Sequence, residues 1–115
     1  MNDLAIQHCS AVTSSTPRLY ERDINLYLAE LSDWEVYEEK GEPRLEKIYK
    51  FKDFIQAVAF TNRVAQVANE EDHHPAILTE WGKVTVTWWT HKIRGLHLND
   101  FIMAAKTDQI YVNAS

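Results

Sequence analysis

The sequence predicts a single α+β domain, a four-stranded antiparallel sheet with three helices packed on one face, in the order α-β-β-α-β-β-α. Three observations carry this. A long segment around position 60 has a broad apolar face at helical spacing. Two pairs of short alternating segments are each broken by a glycine, Gly41 or Gly82, as hairpins are. Helix-period segments stand before the first pair and after the second, and no internal repeat or low-complexity tract interrupts the order.

The elements follow in chain order. Residues 1–18 read as a flexible extension, with Ser10, Thr13, Ser14, Ser15 and Thr16 clustered before Pro17. The domain proper is expected over 19–112. A first helix is expected over 21–31, with Ile24, Tyr27, Leu28 and Leu31 on one face and Asp23 as candidate N-cap. Residues 34–39 alternate as a strand. Lys40-Gly41-Glu42-Pro43 turns the chain, and 45–51 returns as the second strand. The central helix is expected over 53–69, capped by Asp53, with Phe54, Val58, Thr61, Ala65 and Ala68 as its main stripe. Ala57, Phe60, Val64 and Val67 widen that stripe. Pro75 forces His74 toward extended geometry, so His73 and His74 stand on a corner. Strands over 76–80 and 83–90 follow. Val84, Val86 and Trp88 face the helices, while Thr85, Thr87 and Trp89 form an exposed row. The last helix is expected over 99–109, with Asn99 or His97 as cap and Asp100 suited to its positive end.

The chain has 115 residues, the size of one ordinary domain, and 45% of them are hydrophobic, enough to fill a core. Its net charge of -5 argues against a nucleic-acid surface, which needs a basic patch. The one cysteine, Cys9, excludes an internal disulfide and a zinc knuckle, and is read as an inert thiol. No segment approaches the ~20 apolar residues of a membrane span. No secretory signal is read at the start, so a cytoplasmic protein is expected.

The chemistry-bearing residues are His73, His74 and His91, which bracket a strand, with acids on both sides. Histidine is the side chain that transfers protons near neutral pH. Adjacent histidines in an extended segment point to opposite sides, and His-Glu-x-x-His is absent, so no metal site is expected. Three imidazoles around one pocket suit acid-base catalysis or polar contacts to a substrate. The plain alternative is a buried histidine satisfied by a backbone group.

Asp72-His73-His74-Pro75, then Trp81-Gly82-Lys83-Val84, Thr90-His91, Gly95-Leu96 and Asp100, resemble the signature of the pterin-4a-carbinolamine dehydratases. That family is also known as the dimerisation cofactor of a hepatocyte homeodomain transcription factor. The resemblance spans about residues 19–109, including Phe51-Lys52-Asp53-Phe54 and Phe60-Thr61-Asn62-Arg63-Val64, and residues 78–89 look like its bacterial branch. It implies dehydration of 4a-hydroxytetrahydrobiopterin to quinonoid dihydropterin, in recycling the pterin cofactor of aromatic amino-acid hydroxylases. By resemblance His73 and His74 act as general acids on the 4a-hydroxyl, and His91 holds or relays protons. Asp72, Trp89, Thr90 and Lys92 match pterin-contact positions. Asn69, Pro75 and Asp100 support the site, Asp100 either orienting His91 or capping its helix. Asn69 departs from the family's usual Glu, and His97 departs from its usual Thr or Ser cap, so His97 is read as a surface residue. The resemblance implies no cofactor, since the pterin is the substrate, and a homodimer or homotetramer. A hydroxylase is an implied partner; nucleic acid and membrane are not. Two other readings stand beside it: a non-catalytic partner of a hydroxylase or transcriptional regulator, and a role in molybdopterin cofactor assembly.

Overall fold

The structure is a computed structural model and describes residues 3–114, the side chain of Ala114 excepted. Three helices, α1 (Glu21–Leu28), α2 (Phe54–Glu71) and α3 (Leu98–Ala114), accompany four strands. The strands are β1 (Glu35–Glu39), β2 (Glu42–Lys50), β3 (Ala76–Glu80) and β4 (Lys83–Trp88), all antiparallel in the order β1-β2-β4-β3. The predicted fold class and element order are those observed. Among the described residues no helix is long and apolar enough to cross a membrane.

Turn chemistry sets the sheet register. Lys40 and Gly41 both take positive φ, 55° and 78°, the requirement of a tight two-residue hairpin. Glu39 then pairs with Glu42 and Glu38 with Pro43. Pro43 falls in a non-hydrogen-bonded pair, beyond the Leu45–Trp88 end of the β4 ladder, so its missing N–H removes no sheet bond. At the other hairpin Gly82 takes φ 75°, and its carbonyl accepts the Phe51 N–H at 2.8 Å.

The inward face of the sheet presents Leu45, Tyr49, Val84, Val86 and Trp88 to Phe60 and Val64 of α2 and to Phe101 and Ile102 of α3. Each such side chain, fully buried, contributes about 1.5–3 kcal/mol. The stripe of α2 differs from the expected one. Ala57, Phe60, Val64 and Ala68 are buried, whereas Phe54 and Ala65 are exposed. Both lines have helical spacing, and the one carrying Phe60 and Val64 buries more apolar surface next to Tyr49. Asp53 caps α2 as predicted, accepting the Gln56 N–H at 2.8 Å.

One cap and two helix ends differ from expectation. α1 begins at Glu21 as expected, but Asp23 falls inside its first turn and Tyr20 stands at the N-cap with no side-chain bond. It stops at Leu28, and the next three residues continue as tight turns. α3 runs on to Ala114 rather than ending near Gln109, because Ile110 and Tyr111 still pack on the core.

Met1 and Asn2 of the expected extension lie outside the described residues. The remainder runs along the body of the protein. Asp3–Ile6 forms a 3-10 turn with Leu4 buried, Lys106 Nζ donates to the Ala5 carbonyl at 2.8 Å, and the Leu19 N–H reaches the Leu96 carbonyl at 2.9 Å.

Candidate active site

The corner after α2 is built by the backbone. The Asp72 N–H bonds to the Asn69 carbonyl and the His73 N–H to the Ala68 carbonyl, at 3.3 and 3.1 Å. That is the Schellman pattern, with Asp72 in the left-handed position at φ 53°. Glycine is usual there; aspartate tolerates it better than most residues. The reversal turns His73 inward against Trp88, and Pro75 then commits the chain to β3. The two rings lie nearly parallel, centroids 5.7 Å apart and planes 8° apart. Trp88 is itself fixed by its Nε1–H on Thr107 Oγ1 at 3.2 Å.

His73 is 7% exposed and meets Asp100 through Nε2 at 2.6 Å. Asp100 is fully buried, and its second oxygen accepts the Thr90 hydroxyl at 2.8 Å and the His97 N–H at 2.9 Å. A carboxylate here requires the proton on Nε2, so Nδ1 is the ring nitrogen left for a ligand. Among the described residues nothing pairs with it. It is therefore His73, not His91, that Asp100 orients. Asp100 also caps α3: its carboxylate takes the His97 N–H while His97 Nδ1 accepts the Asn99 N–H at 3.0 Å, a reciprocal capping box. His97 is thus the N-cap, one of the two residues expected there, but it is half-buried rather than the surface residue expected. Burial holds its imidazole below the ordinary histidine value, with His73 adding to the effect against the pull of Asp100.

His74 and His91 are exposed. His91 begins a short 3-10 turn, His91–Ile93, inside a loop closed by the Thr90–Gly95 bridge. Its ring packs on Trp89, centroids 4.4 Å apart. The Arg44 guanidinium also lies over the Trp89 ring, 3.9 Å from its centroid. Two of the three residues in the row expected to be exposed are therefore covered, Trp89 under Arg44 and Thr87 buried while donating to Glu46 at 3.1 Å, whereas Thr85 is half-buried.

A cavity of about 430 Å³ gathers Asp72, His73, His74, Thr90, His91 and Lys92, so the three histidines line one hollow. Trp89 and Asp100 stand behind this lining, under His91 and His73 respectively. Asn69 and Pro75 are not part of it either; the Asn69 carbonyl serves the turn. The sequence reading did not name Glu71 or residues 9–12 as site residues, nor Asn99 except as a cap, yet all line the cavity. Only Asn99 left a signal, its place at a helix start; a polar leader gives none. Cys9 is among the lining residues as a thiol: burial, with the Glu71 and Asp100 carboxylates, pushes its pKa up to about 12. Among the described residues no three His, Cys, Asp or Glu side chains are placed close enough together to hold one metal ion.

The molecule is a small α+β domain in which His73, held by the buried Asp100 behind it, and the exposed His74 and His91 line one ligand-sized hollow. The sequence pattern of the pterin 4 alpha carbinolamine dehydratase family matches residues 17–110. The chain is 51% identical to a Marinobacter nauticus protein over 96% of this chain and 100% of that one. It is 53% identical to one from Microcystis aeruginosa over 96% of each. Both carry the name "Putative pterin-4-alpha-carbinolamine dehydratase". A crystal structure of a transcriptional coactivator/pterin dehydratase from Brucella melitensis superposes with a TM-score of 0.75 at 34% identity, over 83% of this chain and 99% of that one. A pterin dehydratase-like RuBisCO assembly factor of the alpha-carboxysome shares the fold, with a TM-score of 0.59 at 24% identity over 69% of this chain and 89% of that one. This chain belongs to the pterin 4 alpha carbinolamine dehydratase family. Residues 9–12 of the cavity lie outside the stretch that the family pattern matches.

Proposed function

We propose that the protein dehydrates 4a-hydroxytetrahydrobiopterin to quinonoid dihydropterin and water by histidine acid-base catalysis. The observation that carries this reading is the convergence of His73, His74 and His91 on one cavity, with His73 fixed by Asp100. The reaction breaks the C4a–O bond. A proton goes to the departing hydroxyl, the N5 lone pair closes a C4a=N5 bond, and the N5 proton is lost. Both transfers lie within reach of imidazoles working near neutral pH. In this reading His73 and His74 serve the hydroxyl, and His91 holds or relays the proton at the same site. Asp72, Thr90 and Lys92 contact the pterin, and Trp89 supports His91 from behind. No metal or cofactor takes part. The protein works in the cytoplasm as a homo-oligomer, recycling the pterin released by an aromatic amino-acid hydroxylase.

The test is dehydration of freshly prepared 4a-hydroxytetrahydropterin. The protein accelerates it over buffer, EDTA leaves the rate intact, and His73→Ala and His91→Ala each lower kcat by about 10²–10⁴-fold. Protein no faster than buffer removes the reading. A second reading, a binding partner without catalysis, draws on the open sheet face, where Ile48 and Leu78 flank Thr85 and are 49% and 58% exposed. It predicts an inactive protein that forms a stable complex with a purified hydroxylase.

A further inference from the structure

Residues 9–12 line the histidine cavity, and three of the four, Cys9, Ser10 and Val12, are tied down through their backbone. Glu71 takes the Cys9 N–H on one carboxylate oxygen at 2.8 Å and His8 Nδ1 on the other at 2.7 Å. Asn99 pairs with Ser10 in both directions: its Oδ1 accepts the Ser10 N–H at 3.0 Å, and its Nδ2 donates to the Ser10 carbonyl at 2.8 Å. Lys92 Nζ reaches the Val12 carbonyl at 3.4 Å. Asn99 is buried at the start of α3, Glu71 ends α2, and Lys92 follows His91, so every anchor is itself a lining residue.

Two features distinguish this from a tail lying on a surface. A side-chain amide that pairs with both backbone groups of one residue fixes the strand direction and register of the segment. A loose tail needs neither, since ordering each residue costs about 1–2 kcal/mol of backbone entropy. Burial by itself would raise the Glu71 carboxyl, yet the Cys9 N–H, His8 and Lys106 together hold it below the usual carboxylate value, so it is ionised where it clasps the segment. What the anchors leave over also matters. Ala11 is an exposed lining residue, and among the described residues its N–H and carbonyl have no protein partner. A flat heterocycle bearing an amide edge finds there a free backbone donor and acceptor beside apolar Ala11 and Val12, as ligand sites of this kind provide.

We propose that residues 9–12 are a wall of the substrate site, held in register by Glu71 and Asn99, and that they set how tightly the pterin is bound rather than how fast it reacts. The proposal rests on the dehydratase reading for the identity of the ligand. It adds binding residues outside the stretch that the family pattern matches, and it makes Glu71 and Asn99 positioning residues. Asn99 and Glu71 act on the segment's backbone, so the side chains at positions 9–12 can vary while the wall persists.

The experiment compares the full chain with three variants: a chain starting at residue 13, Ser10→Pro, which removes the N–H given to Asn99, and Glu71→Ala. Binding of 7,8-dihydrobiopterin, a stable pterin, is measured by titration calorimetry, and KM and kcat by the dehydration assay. The shortened chain binds about tenfold more weakly, and each point variant about threefold or more, as expected for losing one or two hydrogen bonds and an apolar contact. KM rises in step while kcat stays within about twofold, the signature of lost uniform binding. A folded shortened chain with unchanged pterin affinity overturns the proposal. So do unchanged affinities in both point variants, which decide the matter if the shortened chain does not fold without Leu4. A full chain that binds the pterin but fails to dehydrate the carbinolamine sinks the catalytic reading and leaves the wall standing, provided the variants weaken binding. A full chain that binds no pterin removes both.

Discussion

Asp100 carries the most concentrated chemistry in the protein. A carboxylate with no exposed surface is costly unless its lone pairs are filled, and here three donors fill them: His73 Nε2, the Thr90 hydroxyl and the His97 N–H. The positive end of α3 adds to their effect. Replacing it by asparagine keeps the size but supplies an NH₂ where the His73 proton must point, so the ring loses its fixed tautomer. Asp100→Asn is expected to lower kcat by about a hundredfold with little change in KM, the split that separates a positioning residue from a binding one. His97 makes a second prediction, on stability. Its folded-state imidazole sits below the ordinary value of 6.5, so the unfolded chain takes up the proton first as the pH falls. The contribution is full above the unfolded value and is lost as the pH drops from there toward the folded one. Urea midpoints should fall over that window, and His97→Ser, which keeps a capping acceptor but cannot titrate, should flatten the fall. The two residues also show how sequence reading works at this scale. Spacing brought His73, His74 and His91 to notice because their side chains are unusual. The sequence reading offered His91, not His73, as the histidine that Asp100 orients, because the pairing is decided by ring orientation, and that comes from a left-handed Asp72 that no periodicity encodes.

At the scale of elements, the legible features were those with a local cause. Asp53 before an apolar run and the Lys40-Gly41 turn each act within a few residues, and each was found where expected. Of the β4 alternation only the inward row Val84, Val86 and Trp88 held, since Thr87 and Trp89 are buried too and the strand stops at Trp88 rather than residue 90. The stripe of α2 and the length of α3 were not legible, because both depend on what lies opposite. α3 is pinned to the sheet by a residue the sequence did not single out. Asp108 accepts from the Trp34 indole at 3.0 Å, Lys47 at 2.8 Å and the Tyr49 hydroxyl at 2.6 Å. Burial first, then the adjacent carboxylate, raises the Tyr49 phenol, so it stays a donor throughout the accessible pH range. These three partners come from β2 and the residue before β1, so the one carboxylate ties α3 to two strands. Asp108→Ala strands the donors and is expected to destabilise the fold by about 2–3 kcal/mol, read from denaturant midpoints. Asp108 is not among the cavity residues, so kcat of the folded variant should be unchanged. A variant equally stable but slow would mean that α3 transmits its position to Asp100 in a way the packing does not reveal.

The whole molecule makes the cavity, since its lining comes from four separate stretches: residues 9–12, 71–74, 90–92 and 99. Three of them were visible in the sequence through their histidines or a cap. The first was not, because its role arises only when β4 and α3 bring Lys92 and Asn99 beneath it. The separation has a thermodynamic consequence. The unfolded chain holds no two of these stretches in register, so it has no pterin site, and all binding free energy is added to the native state. At a pterin concentration of a hundred times Kd that amounts to about 2.7 kcal/mol. For a domain of this size the melting temperature should rise by on the order of 10 °C. The comparison needs a fixed protein concentration, because subunit association would stabilise the native state by the same mass action. 7,8-Dihydrobiopterin is the ligand to use, and differential scanning calorimetry the measurement. A shift below about one degree at a concentration shown to saturate the protein would mean that the ligand binds a local segment as well unfolded as folded. That result is incompatible with a hollow assembled from four distant parts of the chain, and it would separate binding at the histidine cleft from adventitious stacking on an exposed ring such as Trp81.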